Sequence, residues 1–180
     1  MRYLKTNDVI IRKFKKDDID SLYNILDNTD YIVNKNNKIQ MIKILESIIY
    51  EDYSEEPIWA LVEKQTKKLF GYIKIENYSS KNKFCKISWT VMNKYSNSLL
   101  IKQALRKVMN FMFEKKDIDL IECSYYGQND ETSNILDTIG MKKEAVLKQR
   151  RYNEYTRKKE DFFIYSMNVK DFKQIEFCNV

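Results

Sequence analysis

The feature that most restricts the fold is a change of period in the hydrophobic pattern. Over residues 98–115 apolar residues recur at helical spacing, with Ile101, Leu105, Val108, Met109 and Met112 on one side. That is the signature of an amphipathic helix. Shorter apolar runs bounded by polar turns flank it. Residues 58–63, 69–77 and 84–92 read as strands before it, and 120–125 as a short buried strand after it. Near the start, 8–14 reads as a strand, followed by a helix through Leu26 that Asp17 or Asp18 can cap. A second helix is expected over 39–50, ahead of an acidic loop that ends at Pro57. Residues 129–139 form a helix stopped by Gly140, and 142–152 and 161–169 close the chain as two strands. The order is β-α-α-β-β-β-α-β-α-β-β, without an internal repeat or linker. It predicts one α+β domain over residues 1–180.

Composition narrows the chemistry. The three glycines stand at 71, 127 and 140, never two in one turn, so no glycine-rich phosphate loop is present. Any anion site must then use a helix N-terminus without glycines. The chain has no histidine, which excludes Ser-His-Asp and Cys-His catalysis and His-ligated zinc. Cys85, Cys123 and Cys178 are widely spaced and form no CxxC pair, so neither a disulfide framework nor a metal site is expected. Cys85 and Cys123 read as small buried hydrophobes. Without a leader-like segment or a bilayer-length apolar run, the expectation is a cytoplasmic protein. The net charge of +6 resides in residues 142–159, with eight basic and two acidic side chains. Tyr152 and Tyr155 there invite an RNA- or anion-binding reading. Protection of an exposed strand edge by charge is the stronger explanation.

A family resemblance rests on particular residues. Asn129, Thr132, Leu136 and Gly140-Met141 mark the helix over 129–139, and Trp59-Ala60-Leu61-Val62, Gly71-Tyr72-Ile73 and Phe111-Met112-Phe113 mark the elements before it. With the element order from Ile10 to about Phe172, the chain resembles the GNAT superfamily of acyl-CoA-dependent N-acetyltransferases, in particular its ribosomal-protein-acetylating branch. The resemblance implies a mixed, mostly antiparallel sheet with a splayed parallel strand pair and about four helices. It implies acetyl-CoA as co-substrate, its pantetheine arm pairing with backbone near Val91 and Met92. The pyrophosphate would lie at the helix start formed by Asn97, Ser98, Leu99, Leu100 and Ile101. Asn129 would hold the cofactor near the thioester, and Thr132 would assist the departing thiolate. The acceptor would be a primary amine of a small molecule or of a protein N-terminus. Its groove would be rimmed by Glu55 and Glu56 and lined by Trp89 and Tyr125. A homodimer is an expected assembly, whereas membrane and nucleic acid are not expected partners.

The sequence also departs from the family pattern. Ser96, Leu99 and Ile101 stand where the family has a cation or amide and two small residues. Lys86 stands where that branch commonly has a glutamate base, and Leu136 where many members have a tyrosine acid. The reaction needs a base for the ammonium proton and a donor for the thiolate. Three readings follow: an active N-acetyltransferase, a GNAT-fold binding or regulatory module, and an anion-binding module built on residues 142–159.

Overall fold

The computed structural model describes residues 3–27 and 56–178, with side chains through Ile175. The expected helix over 39–50 and the acidic residues through Glu55 lie outside these residues. Eight strands form one sheet: β1 (Leu4–Lys5), β2 (Val9–Arg12), β3 (Ile58–Glu63), β4 (Leu69–Ser79), β5 (Phe84–Val91), β6 (Leu120–Tyr126), β7 (Lys142–Asn153) and β8 (Lys158–Asn168). Their order across the sheet is β1-β2-β3-β4-β5-β6-β8-β7. Every pairing is antiparallel except β5 with β6, which is parallel. Four α-helices are described: α1 (Ile19–Asp27), α2 (Leu99–Lys116), α3 (Asp130–Ile139) and α4 (Val169–Cys178). The α+β class and the parallel pair agree with the sequence reading. Helix α4 and the two-residue β1 were not expected. No described helix is long and apolar enough to cross a membrane.

Helix α2 is the connection that a parallel β5–β6 pair requires. Its apolar stripe, Ile101, Ala104, Leu105, Val108, Met109, Met112 and Phe113, is buried against one face of the sheet. Each large side chain there contributes roughly 1.5–3 kcal/mol on burial. Lys115 and Lys116 in the last turn oppose the negative end of the helix dipole, and Asp117 ends the helix in a left-handed conformation. Gly140 ends α3 in the same way at φ 90°. A Cβ there would stand 2.2 Å from Ile175 Cδ1, so the position also lets α4 pack close.

The other face of the sheet carries α1. Phe14, Leu22 and Ile25 pack with Ala60, Val62 and Leu69 in a second, smaller core. Asp18 sets the entry to this helix. Its carboxylate accepts from the Lys15 backbone N–H at 2.7 Å and grips the Arg12 guanidinium in two bonds of 2.6 and 2.8 Å. The carboxylate thus caps from inside the first turn and ties the end of β2 to α1.

Candidate active site between the splayed strands

Strands β5 and β6 pair over only three positions, Phe84 with Leu120, Cys85 with Ile121 and Lys86 with Glu122. Beyond them β5 continues on β4 as far as Val91, and β6 continues on β8 as far as Tyr126. The two strands therefore part after Lys86 and Glu122, leaving a gap that opens toward the N-termini of α2 and α3. Antiparallel pairing alternates residues that bond to their partner with residues that face away. Met92 donates its N–H to Phe70 O at 2.9 Å, and Ile75 donates away from β5, to Pro57 O, at 3.0 Å. This phase turns the backbone groups of Trp89 and Val91 into the gap, where no described strand pairs with them. Such groups favour an added extended segment with amides of its own.

Charged side chains line the α1 face of the sheet at the apex of the gap. Lys86 Nζ meets Glu122 Oε1 at 2.5 Å, and Glu76 stands directly across from Lys86 on β4. Lys74 bonds Glu76 at 2.7 Å, and Glu56 accepts from the Tyr78 backbone N–H at 3.3 Å. Burial alone would lower the Lys74 pKa, but the carboxylates of Glu76 and Glu56 hold it above its ordinary value. Ser88 and Ser124 follow Lys86 and Glu122 on the same face, two residues along each strand. Glu56 borders this polar strip, while Glu55 falls outside the described residues. Sequence reasoning missed Glu76 and Glu122 because each looks like an ordinary outward position of a strand. The signal that identifies Glu122 is its parallel register with Lys86.

The opposite, helix-facing side of the gap is aromatic. Trp89 and Tyr125 each lie three residues beyond the last paired position, so they flank the opening from β5 and β6, packed against the main core. They were expected in the amine groove; the structure sets them across the sheet from the charged strip. Tyr125 stacks on Phe163 with centroids 5.1 Å apart, and its hydroxyl lies 2.6 Å from Ser133 Oγ of α3. Burial pushes the Tyr125 phenol up to about 12, the Ser133 bond opposes the shift, and nearby Tyr165 adds to it. Tyr165 is fully buried and its hydroxyl has no hydrogen-bond partner, an arrangement that costs about 1–3 kcal/mol. Burial also raises the Cys85 and Cys123 thiols to about 12, so neither is a ready nucleophile.

At the mouth, Met92 leads into a short turn, Asn93–Tyr95, before α2. Ser98 occupies the N-cap position of α2, but its hydroxyl donates to Tyr95 O at 2.9 Å and caps no N–H of the helix. The first-turn N–H groups of Leu99, Leu100 and Ile101 consequently have no side-chain cap. The Leu99 side chain is 67% exposed, whereas Ile101 is fully buried in the core. Asn129 caps α3, its Oδ1 accepting from the Thr132 backbone N–H at 2.9 Å. Its side-chain NH₂ keeps its donors. Leu136, one turn past Ser133 on α3, is buried.

The basic segment forms the β7–β8 hairpin at the sheet edge. Lys142 pairs with Asp171, Lys148 with Asp161 and Arg151 with Glu160, while Lys143 lies over the Phe163 and Tyr165 rings. Three of its eight basic side chains are therefore ion-paired within the protein. No cluster of potential metal ligands occurs among the described residues.

Comparison with known proteins gives a consistent result. The family model described as acetyltransferase (GNAT) domain matches residues 8–142. The "Uncharacterized N-acetyltransferase YoaA" of Bacillus subtilis (strain 168) is 20% identical over 159 residues, spanning 85% of this chain and 90% of the relative. The structure of RimL, a ribosomal L7/L12 alpha-N-protein acetyltransferase in complex with Coenzyme A, superposes with a TM-score of 0.79 at 12% identity, covering 94% of this chain and 99% of that one. A spermidine N-acetyltransferase chimera of Vibrio cholerae SpeG and hSSAT gives a TM-score of 0.75 at 10% identity, covering 92% and 98%.

Proposed function

The chain belongs to the GNAT acetyltransferase family, and from that premise we propose that it transfers an acetyl group from acetyl-CoA to a primary amine by direct attack on the thioester. The observation that carries this reading is the gap itself. It offers the inward-facing backbone of Trp89 and Val91 on one wall and the carboxylate of Glu122 at the apex. When bound, acetyl-CoA supplies the activated acyl carbon. Trp89 and Val91 hold the amides of its arm as an added strand would be held, whereas Met92, also expected there, has its N–H on Phe70 O and its carbonyl on the Tyr95 N–H. The uncapped first turn of α2, Leu99, Leu100 and Ile101, receives the pyrophosphate through N–H groups and the helix dipole, with Asn97 beside it, while the N–H and hydroxyl of Ser98 are both donated to Tyr95 O. These contacts come from the backbone. The replacement of small residues by Leu99 and Ile101 therefore weakens them less than the sequence alone suggests, because one side chain points to solvent and the other into the core.

The amine approaches from the α1 face. Glu56, Glu76 and Glu122 attract its positive charge, and Glu122 takes the ammonium proton, directly or through a water. Asn129 keeps the thioester end in place, and Thr132 remains close by on the same helix turn. The relatives' names cover both kinds of expected acceptor, a protein N-terminus and a polyamine, and we place the reaction in the cytoplasm. Assay of thiol release with acetyl-CoA and either a peptide bearing a free N-terminus or spermidine tests the proposal. Glu122→Gln should lower kcat about 10²-fold or more near neutrality. The deficit should shrink as the pH rises past the amine's own pKa, about 8 for an α-amine, since the amine then needs no base. Absence of thiol release with both amines, or a deficit unchanged by pH, contradicts this reading.

A further inference from the structure

We propose that the Tyr125–Ser133 hydroxyl pair is the hydrogen-bond donor that meets negative charge on the thioester sulfur as it departs. The proposal rests on the acyl-transfer reading above and adds two hydroxyls to the role expected of Thr132. Tyr125 sits on the β6 wall of the gap, three positions past Glu122 and across from Trp89. Ser133 reaches it from the first turns of α3, at 2.6 Å. In a pair this close one hydroxyl donates to the other, and the second proton is left for a third group. The surroundings of the pair are poorly solvated: Tyr165 is buried and stacks on Tyr125 with centroids 6.1 Å apart, and Leu136 beyond Ser133 is buried and apolar. The same low-dielectric surroundings strengthen a donor aimed at developing charge.

The proton and electron balance is simple. The amine nitrogen forms its bond to the acyl carbon, the carbon–sulfur bond breaks, and the electron pair leaves on sulfur. Two protons leave the ammonium nitrogen: Glu122 takes the first before attack, the second passes to solvent once the nitrogen–carbon bond has formed, and the sulfur takes one proton from solvent. A phenol held at about 12 keeps its own proton beside a thiol of ordinary pKa, about 8.5. The pair therefore acts as a standing donor.

Binding of CoA itself, followed by thiolate absorbance against pH, tests this without turnover. With the wild-type protein the bound thiol should ionise about one pH unit lower than free CoA, roughly tenfold more thiolate at a given pH. Tyr125→Phe and Ser133→Ala should each lose that shift, while Ser133→Thr, which keeps the hydroxyl, should retain it. Affinity for a desulfo analogue of CoA should stay within about twofold in all three, because the donor acts only at sulfur. Lys143 over the Tyr165 ring and Lys86 on the far face remain in every variant, so a lost shift belongs to the hydroxyls. An unchanged shift in Tyr125→Phe and Ser133→Ala overturns the proposal, and so does a wild-type complex without a shift. Failure of the wild-type protein to bind either CoA or its desulfo analogue overturns the acyl-transfer reading itself.

Discussion

A Cβ at Gly71 would stand 2.4 Å from Thr90 O and 2.5 Å from Val91 Cγ1. The neighbouring strand is therefore seated where only a glycine lets it come, and Val91 is one of the residues whose backbone faces the gap. Gly71→Ala should lower stability by about 1–3 kcal/mol through overpacking, read as a lower Tm. It should also weaken acetyl-CoA binding in calorimetry, because Val91 must move; normal affinity beside a lowered Tm would separate Val91 from the site. At this scale the sequence was partly legible. The buried state of Cys85 and Cys123, the α2 stripe and the Gly140 stop could all be read from local pattern. Ser98 could not, because its hydroxyl chooses Tyr95 O over the helix end, a choice made by the turn at Asn93–Tyr95. Glu122 and Ser133 were equally hidden, since each gains its meaning from a partner distant in sequence or on another element.

Among elements, the β7–β8 hairpin shows most clearly why charge obscures a strand. Its outer end pairs Arg151 with Glu160, Tyr152 with Lys159 and Asn153 with Lys158, beyond the expected strand start at 161. No apolar alternation marks those residues; backbone pairing and the Arg151–Glu160 ion pair hold them. Arg151 and Asn153 hydrogen bonds hold the Glu160 carboxyl below its ordinary value, and Lys148 with the Gln149 backbone N–H does the same for Asp161. A carboxyl depressed on folding adds stability that is present above its unfolded pKa and lost as the pH falls through its folded one. Amide protection factors at 149–153 and 158–161, which correct for the pH dependence of intrinsic exchange, should hence be unaffected by acidification to about pH 5. Protection should fall as the pH drops below the ordinary carboxylate range, about 4. High salt should reduce the effect, because these pairs are exposed. Protection that is insensitive to acid would mean that backbone pairing alone holds the hairpin. The closing helix α4 was missed for a different reason. Only Phe172 of its described side chains is fully in the core, so its periodicity is thin.

The molecule as a whole is organised around one parallel pair in an otherwise antiparallel sheet. That exception demands a crossover, α2 supplies it, and the short pairing of β5 with β6 leaves two walls of backbone and side chains facing each other. The α2 period separated the two strands in the sequence, and the parallel pairing itself entered the sequence reading through the family resemblance. The distribution of chemistry over the two faces was not legible, since it depends on the register that sets Lys86 beside Glu122 and Trp89 across from Tyr125. The central claim is that this gap receives the acetyl-CoA arm along β5. Hydrogen exchange of the Trp89 and Val91 backbone amides, with and without saturating acetyl-CoA, tests it most directly. The account predicts that these two amides exchange readily in the free protein and become strongly protected on binding, ahead of their neighbours bonded to β4. Saturable binding that leaves both amides unchanged, or no binding at all, would contradict it.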